Sequence, residues 1–118
     1  MDFALTEEHR MVQQMVRDFA NKEVAPVIKD YDRKGDMAPF VLPRMGELGI
    51  LGICFPVKYG GQGMDYLSYI IAVEEIARVD GSHAATLAAG NSLGIGPIYY
   101  FGTQAQKEKY LCYHRISR

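Results

Sequence analysis

Tryptophan is absent from the 118 residues, and cysteine occurs only twice. Cys54 and Cys112 lie far apart, form no Cys-x-x-Cys and have no neighbouring histidine at metal-ligand spacing. No zinc centre or redox motif is therefore written in the local sequence. An excess of positive charge is also missing: 13 Lys and Arg stand against 14 Asp and Glu, a net charge of -1. A nucleic-acid partner needs a basic face, and none can be built from this balance. Long apolar runs are lacking, since charge or glycine interrupts each one well before the ~20 residues of a bilayer crossing. The acidic start, Met1-Asp2-Phe3-Ala4-Leu5-Thr6-Glu7-Glu8, lacks the basic-then-apolar order of a secretion signal, so a cytoplasmic location is expected. What remains is an ordinary globular composition, 48% hydrophobic and 23% charged, at a length that fits one domain and falls short of an enzyme with separate cofactor and substrate domains.

The apolar periodicity is helical from end to end, and an all-α bundle of about five to six helices with short links is expected. Thr6 followed by Glu7 and Glu8 reads as an N-cap with carboxylates at the positive end of the helix dipole. Val12, Met15, Val16, Phe19 and Ala20 then form one amphipathic face. Pro26 predicts a kinked continuation or a new short helix, closed by Gly35. A further helix is expected over Pro39 to Leu48. Ile50 to Phe55, apolar without alternation, reads as a buried extended connection. From Tyr66 to Val79 the helix is expected to bury Leu67, Ile70, Ile71, Val73, Ile76 and Ala77, apolar surface around much of its circumference that places it centrally. Gly81 and Ser82 suit a left-handed stop and a new N-cap, and Gly96-Pro97 reads as the end of the helix that follows. Thr103-Gln104-Ala105-Gln106 is a capping box opening a last helix to Leu111.

Four groups of residues carry candidate chemistry. Tyr59-Gly60-Gly61-Gln62-Gly63-Met64-Asp65 places glycines ahead of a helix, as a phosphate cradle would. It matches neither G-x-x-x-x-G-K-[ST] nor G-x-G-x-x-G after a strand, so a tight turn is the stronger reading, with Asp65 as the next N-cap. Glu74 and Glu75 are adjacent on a helix and point about 100° apart, which rules out a facing carboxylate pair. Glu75 with Arg78 reads as an ion pair. His9, His83 and His114 are scattered and read as surface or capping residues. Ala85, Ala89 and Leu93, spaced by four with Thr86 beside them, make a smooth apolar wall. By themselves these residues fit close helix packing better than a ligand wall, and both readings stay open.

Thr6-Glu7-Glu8, Phe19-Ala20, Ala25-Pro26, Glu47-Leu48-Gly49, Tyr59-Gly60-Gly61-Gln62-Gly63, Glu74-Glu75-Ile76-Ala77-Arg78, Asn91-Ser92-Leu93-Gly94 and Phe101-Gly102-Thr103-Gln104-Ala105-Gln106-Lys107 follow one another in an order that resembles the N-terminal helical domain of acyl-CoA dehydrogenases. The similarity covers residues 1–111. Residues 112–118 resemble nothing in the family and read as a non-family tail in place of its Thr-Glu-Pro-x-Ala-Gly-Ser-Asp type signature. The resemblance implies an FAD-dependent oxidoreductase of fatty acid metabolism that oxidises the Cα–Cβ bond of an acyl-CoA, passes electrons to electron-transfer flavoprotein, and assembles as a homo-oligomer, usually a tetramer. It implies no catalytic residue in this chain, because the family's base lies in the C-terminal domain. The isolated chain is expected to be inactive and not to bind FAD alone. By position, the resemblance turns Ala85, Thr86, Ala89 and Leu93 into the distal wall of the acyl pocket. A stand-alone helical binding or assembly module, or a fragment of an acyl-CoA oxidase, are the alternatives. In either case the wall would be uncovered in the isolated chain, and such a patch drives association. Light scattering on the purified 118-residue protein is expected to show oligomers, and a monodisperse monomer contradicts this.

Overall fold

The computed structural model describes residues 1–111, which form helices and turns with no β-strand among them. The expected tail, with Cys112 and His114, lies outside the described residues. The α-helices are α1 (Glu7–Phe19), α2 (Ala25–Lys34), α3 (Val41–Glu47), α4 (Tyr66–Ala77), α5 (Gly81–Ala89), α6 (Gly96–Phe101) and α7 (Gln104–Leu111). Two π-helical turns, Ala20–Val24 and Gly90–Ile95, join α1 to α2 and α5 to α6. The seven segments thus form five continuous rods, in line with the all-α expectation.

Both π turns lie just ahead of a proline, Pro26 and Pro97, at the second position of the helix that follows. A proline has no N–H to donate, and its ring crowds the carbonyl four residues back; widening the helix by one residue accommodates both defects. Pro26 therefore continues its helix, one of the two outcomes foreseen. Gly96-Pro97 does not end the helix, contrary to expectation.

Cap chemistry fixes where the rods begin. Thr6 caps α1, its Oγ1 accepting from the His9 N–H at 3.2 Å, and the Thr6 N–H donates to His9 Nδ1 at 3.3 Å, so histidine completes the capping box. Asp65 caps α4, and Thr103 with Gln106 forms the expected box before α7. At α5 the cap is Asp80, which accepts from Ser82 N–H and His83 N–H. Gly81 is the first helical residue and Ser82 is not the cap, because the longer aspartate two residues earlier reaches both free amides. Gly35 closes α2 with φ 67°.

His9 Nε2 lies 2.7 Å from the Asp65 carboxylate, and Arg17 near the other end of α1 meets Glu75 on α4. Start therefore faces start and end faces end: α1 and α4 run parallel. Val12, Val16 and Phe19 pack against Ile71, Ala72 and Ile76, and α5 folds back on α4 with Ala84 and Leu87, while α3 adds Val41 and Met45. Each fully buried aliphatic side chain stabilises the fold by about 1.5–3 kcal/mol. The Ser68 N–H donating to the Asp65 carboxylate, then the His9 contact, hold its pKa at about 2. That is below the ~3.9 of an unfolded aspartate, so this cap's contribution is full above pH ~4 and fades as pH falls towards 2.

The register of α4 differs from the expectation. Leu67, Ile70 and Ala77 face outward, with Ile70 53% exposed, whereas Ser68, Tyr69, Ala72 and Glu75 turn inward. These polar groups are buried because each is paired: Ser68 Oγ donates to Asp65, and Tyr69 OH donates to the carbonyl of Ala88. The Glu75 side chain is 2% exposed. It accepts from Arg17 through Nε at 3.0 Å and Nη2 at 2.8 Å, and from Arg78 Nη1 at 2.9 Å. The Arg17 hydrogen bonds, working against burial and joined by Arg78, hold its carboxyl below the usual range.

Residues 50–55 are a chain of turns and not the extended link expected, because Gly49 and Gly52 take φ 75° and 77° and bend the chain. The glycine stretch is a tight turn, as expected. Gly60 and Gly63 have φ 91° and 65°, and a Cβ on Gly61 would sit 2.1 Å from the Phe55 carbonyl oxygen. The slab they help close measures 42 × 41 × 22 Å, two helix diameters thick.

Two stability outcomes follow. The arginines around Glu75 are 40% and 52% exposed, so losing the carboxylate leaves solvated charges, whereas losing both arginines strands a buried one. Arg17→Ala with Arg78→Ala is expected to lower the thermal midpoint more than Glu75→Leu does. Gly61→Ala should cost about 1–3 kcal/mol or more by overpacking, while Gly81→Ala, with nothing within 4 Å of the new methyl, should be neutral or stabilising by up to about 1 kcal/mol. Urea denaturation measures both glycine variants.

Candidate functional site

The rod from Gly81 to Phe101 sorts its side chains into two faces. Ala84, Leu87, Asn91 and Ile95 turn inward, and all four are buried. Ala85 is exposed, Thr86 and Ala89 are half-buried, and Leu93 is 78% exposed. The four residues picked out from the sequence therefore stand together along the outward side. Thr86 Oγ1 donates to the Ser82 carbonyl at 3.0 Å, so its one hydroxyl proton is already committed within the helix. None of the four is ionisable, so this face can contact an apolar group and exclude water and has no proton to exchange.

Next to this face lies a recess of about 240 Å³ between α4 and α6, lined by Tyr66, Tyr69, Ser92, Gly96 and Tyr100, with the Cys54 thiol at its edge. Tyr66 OH and Tyr100 OH are 3.0 Å apart, and that hydrogen bond first, with burial next, pushes the Tyr66 phenol up to about 12. Burial raises the Cys54 thiol as well, so at neutral pH both groups are protonated and neither is a nucleophile. The wall residues Ala85, Ala89 and Leu93 do not line this recess.

The other sequence candidates resolve into structure. Glu75 is clamped by two arginines, an ion pair as expected, with Arg17 as a member that the local spacing does not reveal. His9 and His83 are both buried. His9 is a capping residue, as foreseen. His83 Nδ1 hydrogen-bonds Asp80, and its Nε2 has no partner among the described residues. The amides of the glycine turn all donate into the chain: Gly60 to the Val57 carbonyl, Gly61 to Pro56, Gln62 to Gly52 and Gly63 to Phe55. No free N–H is left there for a phosphate, so the turn does not fit the diphosphate of a cofactor. Among the described residues no three His, Cys, Asp or Glu side chains gather as a metal site, and no helix is long and apolar enough to cross a membrane.

Sequence reasoning missed Asn91. It is buried in the second π turn and bonds the backbone of Gly52. An asparagine flanked by Gly90 and Gly94, six residues before a proline, is the local signal, but the partner lies too far along the chain to be read.

With this geometry the comparisons with known proteins agree. Residues 6–113 match the family described as acyl-CoA dehydrogenase, N-terminal domain. The chain is 49% identical over 111 residues to the protein named Probable acyl-CoA dehydrogenase YngJ of Bacillus subtilis, covering 94% of this chain and 29% of that protein. Butyryl-CoA dehydrogenase from Megasphaera elsdenii superposes with a TM-score of 0.91 at 43% identity, over 98% of this chain and 31% of that one. A chain in the structure reported for the electron transferring flavoprotein of Acidaminococcus fermentans superposes with a TM-score of 0.91 at 48% identity, over 95% of this chain and 30% of that one. The chain thus spans less than a third of the length of these relatives. It belongs to the acyl-CoA dehydrogenase family, whose N-terminal helical domain it matches.

Proposed function

We propose that this chain is the N-terminal domain of an FAD-dependent acyl-CoA dehydrogenase, and that Ala85, Thr86, Ala89 and Leu93 form the distal wall of its acyl pocket. The observation that carries the reading is the uncharged outward face of the Gly81–Phe101 rod, where Leu93 stays 78% exposed in a chain of this family. An acyl chain is the ligand that such a face suits, because it asks for apolar contact and exclusion of water and for no hydrogen bond. The residues of this domain orient the chain; the proton-abstracting carboxylate and the flavin contacts are assigned to parts of the enzyme beyond residue 111. FAD supplies hydride acceptance when bound there. Electron-transfer flavoprotein as the electron acceptor is supported by the 48% identical chain in the Acidaminococcus fermentans structure. Assembly as a homo-oligomer is part of the same proposal, and the exposed Leu67, Ile70 and Phe101 supply apolar surface for the contacts it needs.

Small side chains at positions 85 and 89 leave the far end of the pocket open from this side. Ala89→Phe in the full-length flavoenzyme is expected to lower kcat/KM for octanoyl-CoA by about tenfold or more while changing that for butyryl-CoA much less. Steady-state kinetics with the two thioesters checks this, and an unchanged chain-length profile overturns the wall assignment.

A further inference from the structure

Between Ala89 and Gly96 the wall rod leaves α-helical register, and one side chain is built into the opening. Asn91 lies in the π turn with almost no exposed surface. Its Oδ1 accepts from the Gly52 N–H at 2.6 Å, and its Nδ2 donates to the Leu87 carbonyl at 3.3 Å. The next carbonyl, of Ala88, accepts from Ser92 Oγ at 2.7 Å and from Tyr69 OH at 2.9 Å. Among the described residues the turn before the opening is therefore tied by three side chains, of which Asn91 alone ties it to the backbone of another segment. A single planar group must accept on one side and donate on the other, which an amide side chain does and a carboxylate or hydroxyl does not do at that reach.

Gly52 offers its amide in a fixed place. With φ 77° it takes a conformation that other residues avoid, and its carbonyl accepts from the Phe55 and Gln62 N–H groups. The glycine turn packs behind it: the Gly61 Cα lies 3.8 Å from where a Gly52 Cβ would stand. Gly52 is thus anchored to the loop at 49–63, and Asn91 transmits that anchor into the rod.

We propose that Asn91 is a positioning residue for the acyl pocket: by locking the π turn against Gly52 it sets the rotation of Leu93 relative to Ala89, and with it the shape of the far end of the wall. The inference rests on the wall assignment proposed above. One residue of register corresponds to about 100° around an α-helix. Relaxation of the π turn by that amount carries Leu93 away from its place beside Ala89. Only a long acyl chain reaches this part of the wall, so the short substrate should not sense the change.

The test uses the full-length flavoenzyme, with kcat and KM for butyryl-CoA and octanoyl-CoA and the thermal midpoint measured for each variant. Asn91→Ala removes both hydrogen bonds and is expected to lower the octanoyl-to-butyryl ratio of kcat/KM by about threefold or more, through KM for octanoyl-CoA, with kcat for butyryl-CoA unchanged. Asn91→Asp keeps the acceptor for Gly52 at the cost of a buried carboxylate; it should hold the ratio near that of the parent enzyme although its thermal midpoint falls. If the ratio stays constant in Asn91→Ala, or if it follows the thermal midpoint through both variants, Asn91 has a structural role only and the inference is overturned. Should Asn91→Ala not fold, a lowered ratio in Asn91→Asp overturns it equally. Ala89→Phe serves as the separate control: a profile that responds to Ala89→Phe and not to Asn91→Ala rejects this inference alone, and a profile that ignores Ala89→Phe rejects the wall beneath it.

Discussion

A proline inside a helix cannot donate a hydrogen bond, and this constraint shapes both long rods of the domain. At Pro26 and at Pro97 the backbone answers in the same way, with a π turn directly upstream. The turn keeps the rod continuous and opens its ladder of hydrogen bonds for a residue's length. At the first site the opening stands beside an ion pair, Glu23 with Arg44 of α3 at 3.0 Å. At the second it is laced by Asn91, Ser92 and Tyr69. The same backbone defect is thus structural in one rod and lies on the candidate ligand face in the other.

Most polar groups in the core are paired. Ser68, Tyr69, Glu75 and Asn91 turn inward with a fixed partner each, Ser68 on the cap of its own helix and the other three on another element, whereas His83 Nε2 is buried with no partner among the described residues. Unpaired, such groups cost about 1–3 kcal/mol each, and more when charged. Paired, they contribute little net stability but specify which surfaces meet, because few alternative packings satisfy all of them. The Glu75 carboxylate illustrates this: both its oxygens are taken, and the two guanidinium groups that take them come from different helices.

Much of the fold was legible because its determinants are local. Thr6, Asp65 and the Thr103–Gln106 box act within four residues, Gly35 and Gly60 act on their own backbone, and the amphipathic face of α1 repeats over three turns. Several other features, by contrast, turn on a distant partner. The inward face of α4 was read from its aliphatic residues, but Arg17 and Asp65 pull Glu75 and Ser68 inside and leave Leu67 and Ile70 out. Gly96-Pro97 reads as a break in one dimension; the carbonyl acceptors and side-chain donors that keep the rod continuous are visible only in three. The wall at Ala85, Thr86, Ala89 and Leu93 has the spacing of close packing, and only the family resemblance makes it a pocket wall. Asn91 stayed hidden because its partner is Gly52, brought close by the glycine turn.

The parallel alignment of α1 and α4 has a consequence for cooperativity. Antiparallel neighbours such as α4 and α5 are joined by a short link and can form alone, whereas parallel neighbours require the chain to travel the full length of the pair and return. Residues 20–65 make that journey here, through α2, α3 and the turns at 49–63. Closing so long a loop costs entropy that local contacts do not repay until the whole segment is ordered. The contacts between His9 and Asp65, and between Arg17 and Glu75, therefore depend on the ordering of the whole intervening segment and not only on the two helices they join.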